Sequence, residues 1–134
     1  MSATSRRTEV GAEVQMAIAR DPSLVRTVRL VAAAVARRAD CPDGLVEEIR
    51  LAVGEACAVM IGLDETPQDS REHVEVQIGT ADGFTVTVSG RLDSDDSGFG
   101  DIGLDPWALL RGISETLEVS DEGGVTTLRM TWPR

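Results

Sequence analysis

The spacing of apolar residues switches repeatedly along this chain between a period of two and a period of about 3.6, and the order of those switches fixes the fold class. Val10, Ala12, Val14, Met16 and Ile18 alternate with Gly11, Glu13, Gln15 and Ala17, a strand with one buried face. Asp21-Pro22-Ser23 then reads as a helix start, with Asp21 as N-cap and Pro22 as first helical residue. Leu24, Val28, Val31 and Val35 follow at helical steps, and that helix ends near Arg37-Arg38. Asp40-Cys41-Pro42-Asp43 breaks the chain and starts a second helix. Leu45, Ile49, Ala52, Ala56 and Val59 mark its inner face, and it runs to about Leu63.

The polar stretch Asp64 to Glu72 reads as a loop. His73 to Thr80 returns to period two, with Val74, Val76 and Ile78 on one face. Asp82-Gly83 is a hairpin turn signal, and Phe84, Val86 and Val88 continue the next strand. Ser89 to Asp105 is rich in Gly, Asp and Ser and is expected to form a long, mobile loop. Asp105-Pro106-Trp107 starts a third helix, whose buried stripe is read as Trp107, Leu110, Ile113 and Leu117. Leu117 and Val119, then Val125, Thr127, Met130 and Trp132, form a closing hairpin across Gly123-Gly124. The expected fold class is α+β: a two-layer α/β sandwich, with a mixed, mostly antiparallel sheet carrying helices on one face. Residues 1–8 are expected to be a flexible N-terminus and 9–134 a single domain.

A net charge of −10 and a pI of about 4.4 argue against direct nucleic-acid binding, because phosphate backbones repel such a chain. An acidic regulator docking on a basic protein fits better, and transcription factors are one class of such partners. No apolar run approaches a membrane span, and no secretory signal opens the sequence, so a cytoplasmic protein is expected. Cys41 and Cys57 form no metal or disulfide pattern and read as thiols, Cys57 in an apolar helical stretch. All basic residues are arginine, and asparagine is absent.

Glu55 is the only charged residue between Leu51 and Leu63. A lone carboxylate on such a helix faces a cavity, pairs with a base, or lies on the solvent side. The acids from Asp93 to Asp101 lack the spacing and the closing bidentate Glu of a calcium loop, so no metal site is assigned. His73, the only histidine, has no serine or cysteine motif beside it and reads as a strand-edge residue. Trp107 and Trp132 suit core packing.

Leu51-Ala52-Val53-Gly54-Glu55-Ala56-Cys57-Ala58-Val59-Met60 resembles the N-box of anti-sigma serine kinases in the histidine-kinase-like ATPase (Bergerat) superfamily. Their pattern is roughly L-A-V-S-E-A-C-T-N-A-V. The resemblance extends in element order from Val10 to Trp132. It implies that Glu55 matches the acid that orients a water or hydroxyl near the nucleotide. The asparagine that binds magnesium falls at Val59, and no neighbouring asparagine can replace it by a register shift. The aspartate that reads the adenine amino group falls at about Ser89-Gly90, with Asp93, Asp95 and Asp96 further on. The phosphate-holding glycines fall at Leu104 and Pro106, and proline has no N–H to donate. Gly98, Gly100 and Gly103 stand nearby as a weak anion nest. An arginine of the first helix docks partners in such proteins. Counting back from Glu55 favours Arg29, with Arg26 the neighbouring candidate, and a solvated helix arginine is the other reading.

The resemblance therefore implies an anti-sigma-type regulator of transcription that acts by partner switching without nucleotide, a pseudo-kinase with no cofactor. Its expected partners are a sigma factor and an anti-sigma antagonist, and a homodimer is possible as in many relatives. One alternative is an active kinase that uses magnesium-ATP to phosphorylate the antagonist, with Glu55 as base and loop carboxylates replacing Val59. The other is a structural subunit that pairs with an intact paralogue.

Overall fold

The computed structural model describes residues 12–61, 73–81, 83–91 and 107–133. The N-terminal segment 1–8, Val10, Asp82, the acids Asp93 to Asp101, Gly98, Gly100, Gly103, Leu104 and Pro106 all lie outside the described residues.

Among the described residues five strands and three α-helices follow one another: β1 (Ala12–Ile18), α1 (Val25–Arg38), α2 (Asp43–Ile61), β2 (Val74–Gly79), β3 (Phe84–Arg91), α3 (Ala108–Ile113), β4 (Thr116–Glu122) and β5 (Val125–Trp132). They make the expected α+β sandwich, with one sheet ordered β1-β2-β3-β5-β4. Every described pairing is antiparallel, so the expected antiparallel majority extends to all neighbours and the sheet is not mixed. Chain direction explains this. Two helices separate β1 from β2, so the chain reverses three times between them, and an odd number of reversals leaves the two strands antiparallel. A single helix separates β3 from β4, so those two strands run the same way, but β5 lies between them.

One sheet face is apolar. Met16, Val76, Val88 and Leu128 stand side by side across four strands, as do Val14, Ile78, Val86 and Met130. Val74, Val76, Ile78, Phe84, Val86, Val88, Leu128 and Met130 are fully buried there. Each such side chain contributes about 1.5–3 kcal/mol. The opposite face carries Gln77, Thr85, Thr87, Ser89, Thr127 and Thr131, half-buried and polar. Helix α2 lies on β2 and β3 and packs also against α1 and α3.

Several expected boundaries shift for identifiable reasons. Asp21 does cap a helical start, accepting from the Ser23 N–H, but the cap serves a short 3₁₀ turn over Pro22–Leu24, and α1 begins at Val25. The buried set of α2 is broader than the expected stripe. Val46, Val53, Gly54, Cys57 and Met60 join Ile49, Ala52 and Ala56, because α2 is covered on two sides. Val59 and Leu45 are only partly buried. The strand β3 continues through Ser89, Gly90 and Arg91, which the sequence assigns to a loop, because β5 hydrogen-bonds along its whole length. Helix α3 ends at Ile113, where the Ser114 hydroxyl donates to the Leu110 carbonyl, so Leu117 belongs to β4 and not to the helix. In β5 the buried residues are Thr126, Leu128, Met130 and Trp132, so of the hairpin residues named from the sequence Met130 and Trp132 face the core and Val125 and Thr127 do not.

Trp132 locks the last strand in place. Its ring meets Phe84 edge-on at 6.4 Å, and its indole N–H donates to the Ile113 carbonyl at 3.3 Å. Gly83, just before Phe84, has φ +80°, and a Cβ there would lie 2.8 Å from the Trp132 carbonyl oxygen. Gly83→Ala is therefore expected to lower stability by at least about 1 kcal/mol, read as a lower denaturant midpoint with unchanged slope.

Candidate functional site

Helix α2 supplies the candidate site, and its sequence explains how. Small residues at Ala52, Gly54, Ala56 and Cys57 let α1 and the sheet approach closely, and all four are buried. Glu55 lies half-buried, away from that packed side. Leu51, one turn earlier, is 48% exposed, and Ala58, one turn later, is also exposed. Glu55 thus sits half-buried on the solvent-leaning side of the helix. Val59, four residues on, packs its aliphatic side chain against the edge of the core.

Gly54 carries a contact that the sequence alone does not reveal. A Cβ at that position would lie 2.7 Å from Arg29 Cδ and 3.3 Å from Arg29 Cγ. The stem of Arg29 therefore crosses from α1 over the missing side chain of α2. Arg29 is half-buried, and its Nε is buried without a hydrogen-bond partner among the described residues. Arg26, one turn away, is exposed. The two candidate arginines differ in kind: Arg29 is seated in the helix seam and Arg26 is solvated.

At the end of β3 the pleat separates Ser89 from Gly90. Ser89 stands opposite Glu75 and Thr127 on the open face, away from the helices. Gly90 faces the helices, and the nearest atoms to a Cβ there would be Arg20 Nη2 at 3.2 Å, Val74 Cγ2 at 3.5 Å and Met60 Sδ at 3.7 Å. Arg20 follows β1 and reaches across the sheet. Its Nη1 donates to the Met60 carbonyl and its Nη2 to the Arg91 carbonyl at 2.7 Å. No sequence pattern singles out Arg20, since it belongs to neither the strand alternation nor the helix stripe. Arg91 extends in turn over the last hairpin, close to Gly124, with Nη1 donating to the Gly123 carbonyl at 3.4 Å.

The family model for the histidine kinase-like ATPase domain matches residues 18–132, nearly the whole described fold. The chain belongs to that family. Compared with curated proteins, it matches none. In a histidine kinase-like ATPase domain the resemblance calls for a magnesium ligand at Val59 and an acceptor at Ser89 or Gly90. Val59 has no oxygen, Ser89 points to the far face, and Gly90 has no side chain and is covered by a cationic donor. Among these described positions Val59 therefore offers no oxygen to a magnesium ion, and neither Ser89 nor Gly90 presents an acceptor on the helix-covered face. Among the described residues no three His, Cys, Asp or Glu side chains are grouped to hold a metal ion. His73 is exposed just before β2. No helix among the described residues is long and apolar enough to cross a membrane.

Both cysteines are free and buried. Burial pushes the Cys57 thiol up from 9.0 to about 12. The raised value means that deprotonation opposes folding: the contribution is intact below pH 9.0 and is lost as pH rises toward about 12. Cys57 is expected to resist alkylation in the native state at pH 8 and to react only on unfolding, checked by mass spectrometry across a denaturant series.

Gly54 offers a second test. In an open helix Gly→Ala gains about 0.8–1.0 kcal/mol. Here the new methyl group would strike Arg29, so Gly54→Ala is expected to be neutral or destabilising in the wild-type chain and stabilising by about that amount beside Arg29→Ala. A double-mutant cycle by chemical denaturation measures the difference.

Proposed function

We propose that this histidine kinase-like ATPase domain is an anti-sigma-type regulator of transcription that works by protein–protein partner switching without nucleotide. The observation that carries the reading is the pair Glu55 and Val59 on α2: the carboxylate is retained, and the position four residues later holds a packed aliphatic side chain where a metal ligand is required. Phosphoryl transfer depends on positioned metal and phosphate clamps. With the metal clamp missing, the fold serves as a docking platform.

Charge supports the same reading. The chain carries −10, which favours a basic protein partner over nucleic acid. Arg29 supports it further. Its stem is held against Gly54, so less side-chain freedom is lost when a partner carboxylate or carbonyl binds the guanidinium. Arg26 is a rim contact under this reading, worth less because it is solvated.

The partners are a sigma factor and its small antagonist. Both compete for the α1 surface, and exchange needs no cofactor. The test is reconstitution with a sigma factor and an antagonist from the same cell. Exchange is expected to proceed equally with and without magnesium-ATP, and Arg29→Ala is expected to weaken sigma-factor capture about tenfold or more while the fold is retained. Exchange that requires ATP, with a phosphoserine on the antagonist, would establish the kinase reading instead. Folding only with a paralogue would establish the structural-subunit reading.

A further inference from the structure

The carbonyls of Met60 and Arg91 lie on two different elements, yet one side chain serves both. Met60 lies in the last described turn of α2, and its carbonyl accepts from Arg20 Nη1. Arg91 closes β3. Between these carbonyls the floor is Gly90, and the walls are Val74 and Met60. Among the described residues the site, a slot, has these two acceptors, aliphatic and thioether sides, and no side chain at its base.

We propose that this slot is a binding site for a planar cation with forked N–H donors, of the guanidinium class, and that Arg20 is its resident occupant. Two features select that chemistry. The two acceptors lie on separate elements, so one ligand must donate in two directions, which a planar guanidinium does and a compact ammonium does not. The base is Gly90, where a methyl group would already lie 3.2 Å from Arg20 Nη2, so a flat group lies close over the backbone. Arg20, tethered at the end of β1, thus joins β1, α2 and β3 at one point and shuts the slot to free ligands.

The test is chemical rescue. Arg20→Ala is expected to lower the melting temperature by roughly 5 °C or more. Millimolar methylguanidinium is expected to recover part of that loss in Arg20→Ala and to leave the wild type unshifted. Methylammonium at the same concentration, the control for ionic strength and for a compact cation, is expected to recover nothing. Arg20→Lys, which keeps the charge but not the fork, guards against a variant too unstable to study, and is expected to lose stability and to respond to methylguanidinium likewise. Gly90→Ala is expected to destabilise the wild type and to cost markedly less beside Arg20→Ala. Equal responses to methylguanidinium and methylammonium would overturn the proposal, as would Arg20→Lys as stable as wild type. Nucleotide binding is a separate readout, so failure here leaves the proposed function standing, and the reverse.

Discussion

Everything in this fold depends on the burial of α2. The helix lies on β2 and β3 while α1 and α3 close over it. Such a position demands small residues where helices approach, and Ala52, Gly54, Ala56 and Cys57 supply them. The same burial leaves only a narrow strip of α2 facing outward, and Glu55 lies in that strip. Packing and site are thus two consequences of one helix placement.

Arginines complete what the small residues leave open. Arg29 fills the space above Gly54, and Arg20 fills the space above Gly90. In each case a missing Cβ on one element admits a long cationic side chain from another. Arg91 does the same near Gly124 in the last hairpin. A chain without lysine uses the flat, forked guanidinium as a structural tie, and the backbone carbonyls of Met60, Arg91 and Gly123 accept its donors.

Much of this was legible in the sequence. Alternation of Val74, Val76 and Ile78, then Phe84, Val86 and Val88, marks strands whose buried faces agree with the structure. The helical steps of Val28 and Val35 place α1 correctly. What failed did so for local physical reasons. The closing hairpin is legible from Val125, Thr127, Met130 and Trp132, but its buried face is not, because Val and Thr favour strands in either orientation and the phase comes from Leu128, Met130 and Trp132. Gly90 reads as a loop residue by composition, yet pairing with β5 keeps it in the strand. The candidate site was half legible: the positions of Glu55 and Val59 follow from helical spacing. The Arg20 tie does not, because it joins residues 40 and 71 positions apart that carry no shared pattern.

The central claim is that this histidine kinase-like ATPase fold has kept its scaffold and lost its nucleotide. Calorimetric titration of the purified chain with magnesium-ATP tests it most directly. No saturable heat is expected up to millimolar nucleotide, with Val59→Asn behaving the same. Stoichiometric binding by the wild-type chain with a micromolar Kd would contradict it.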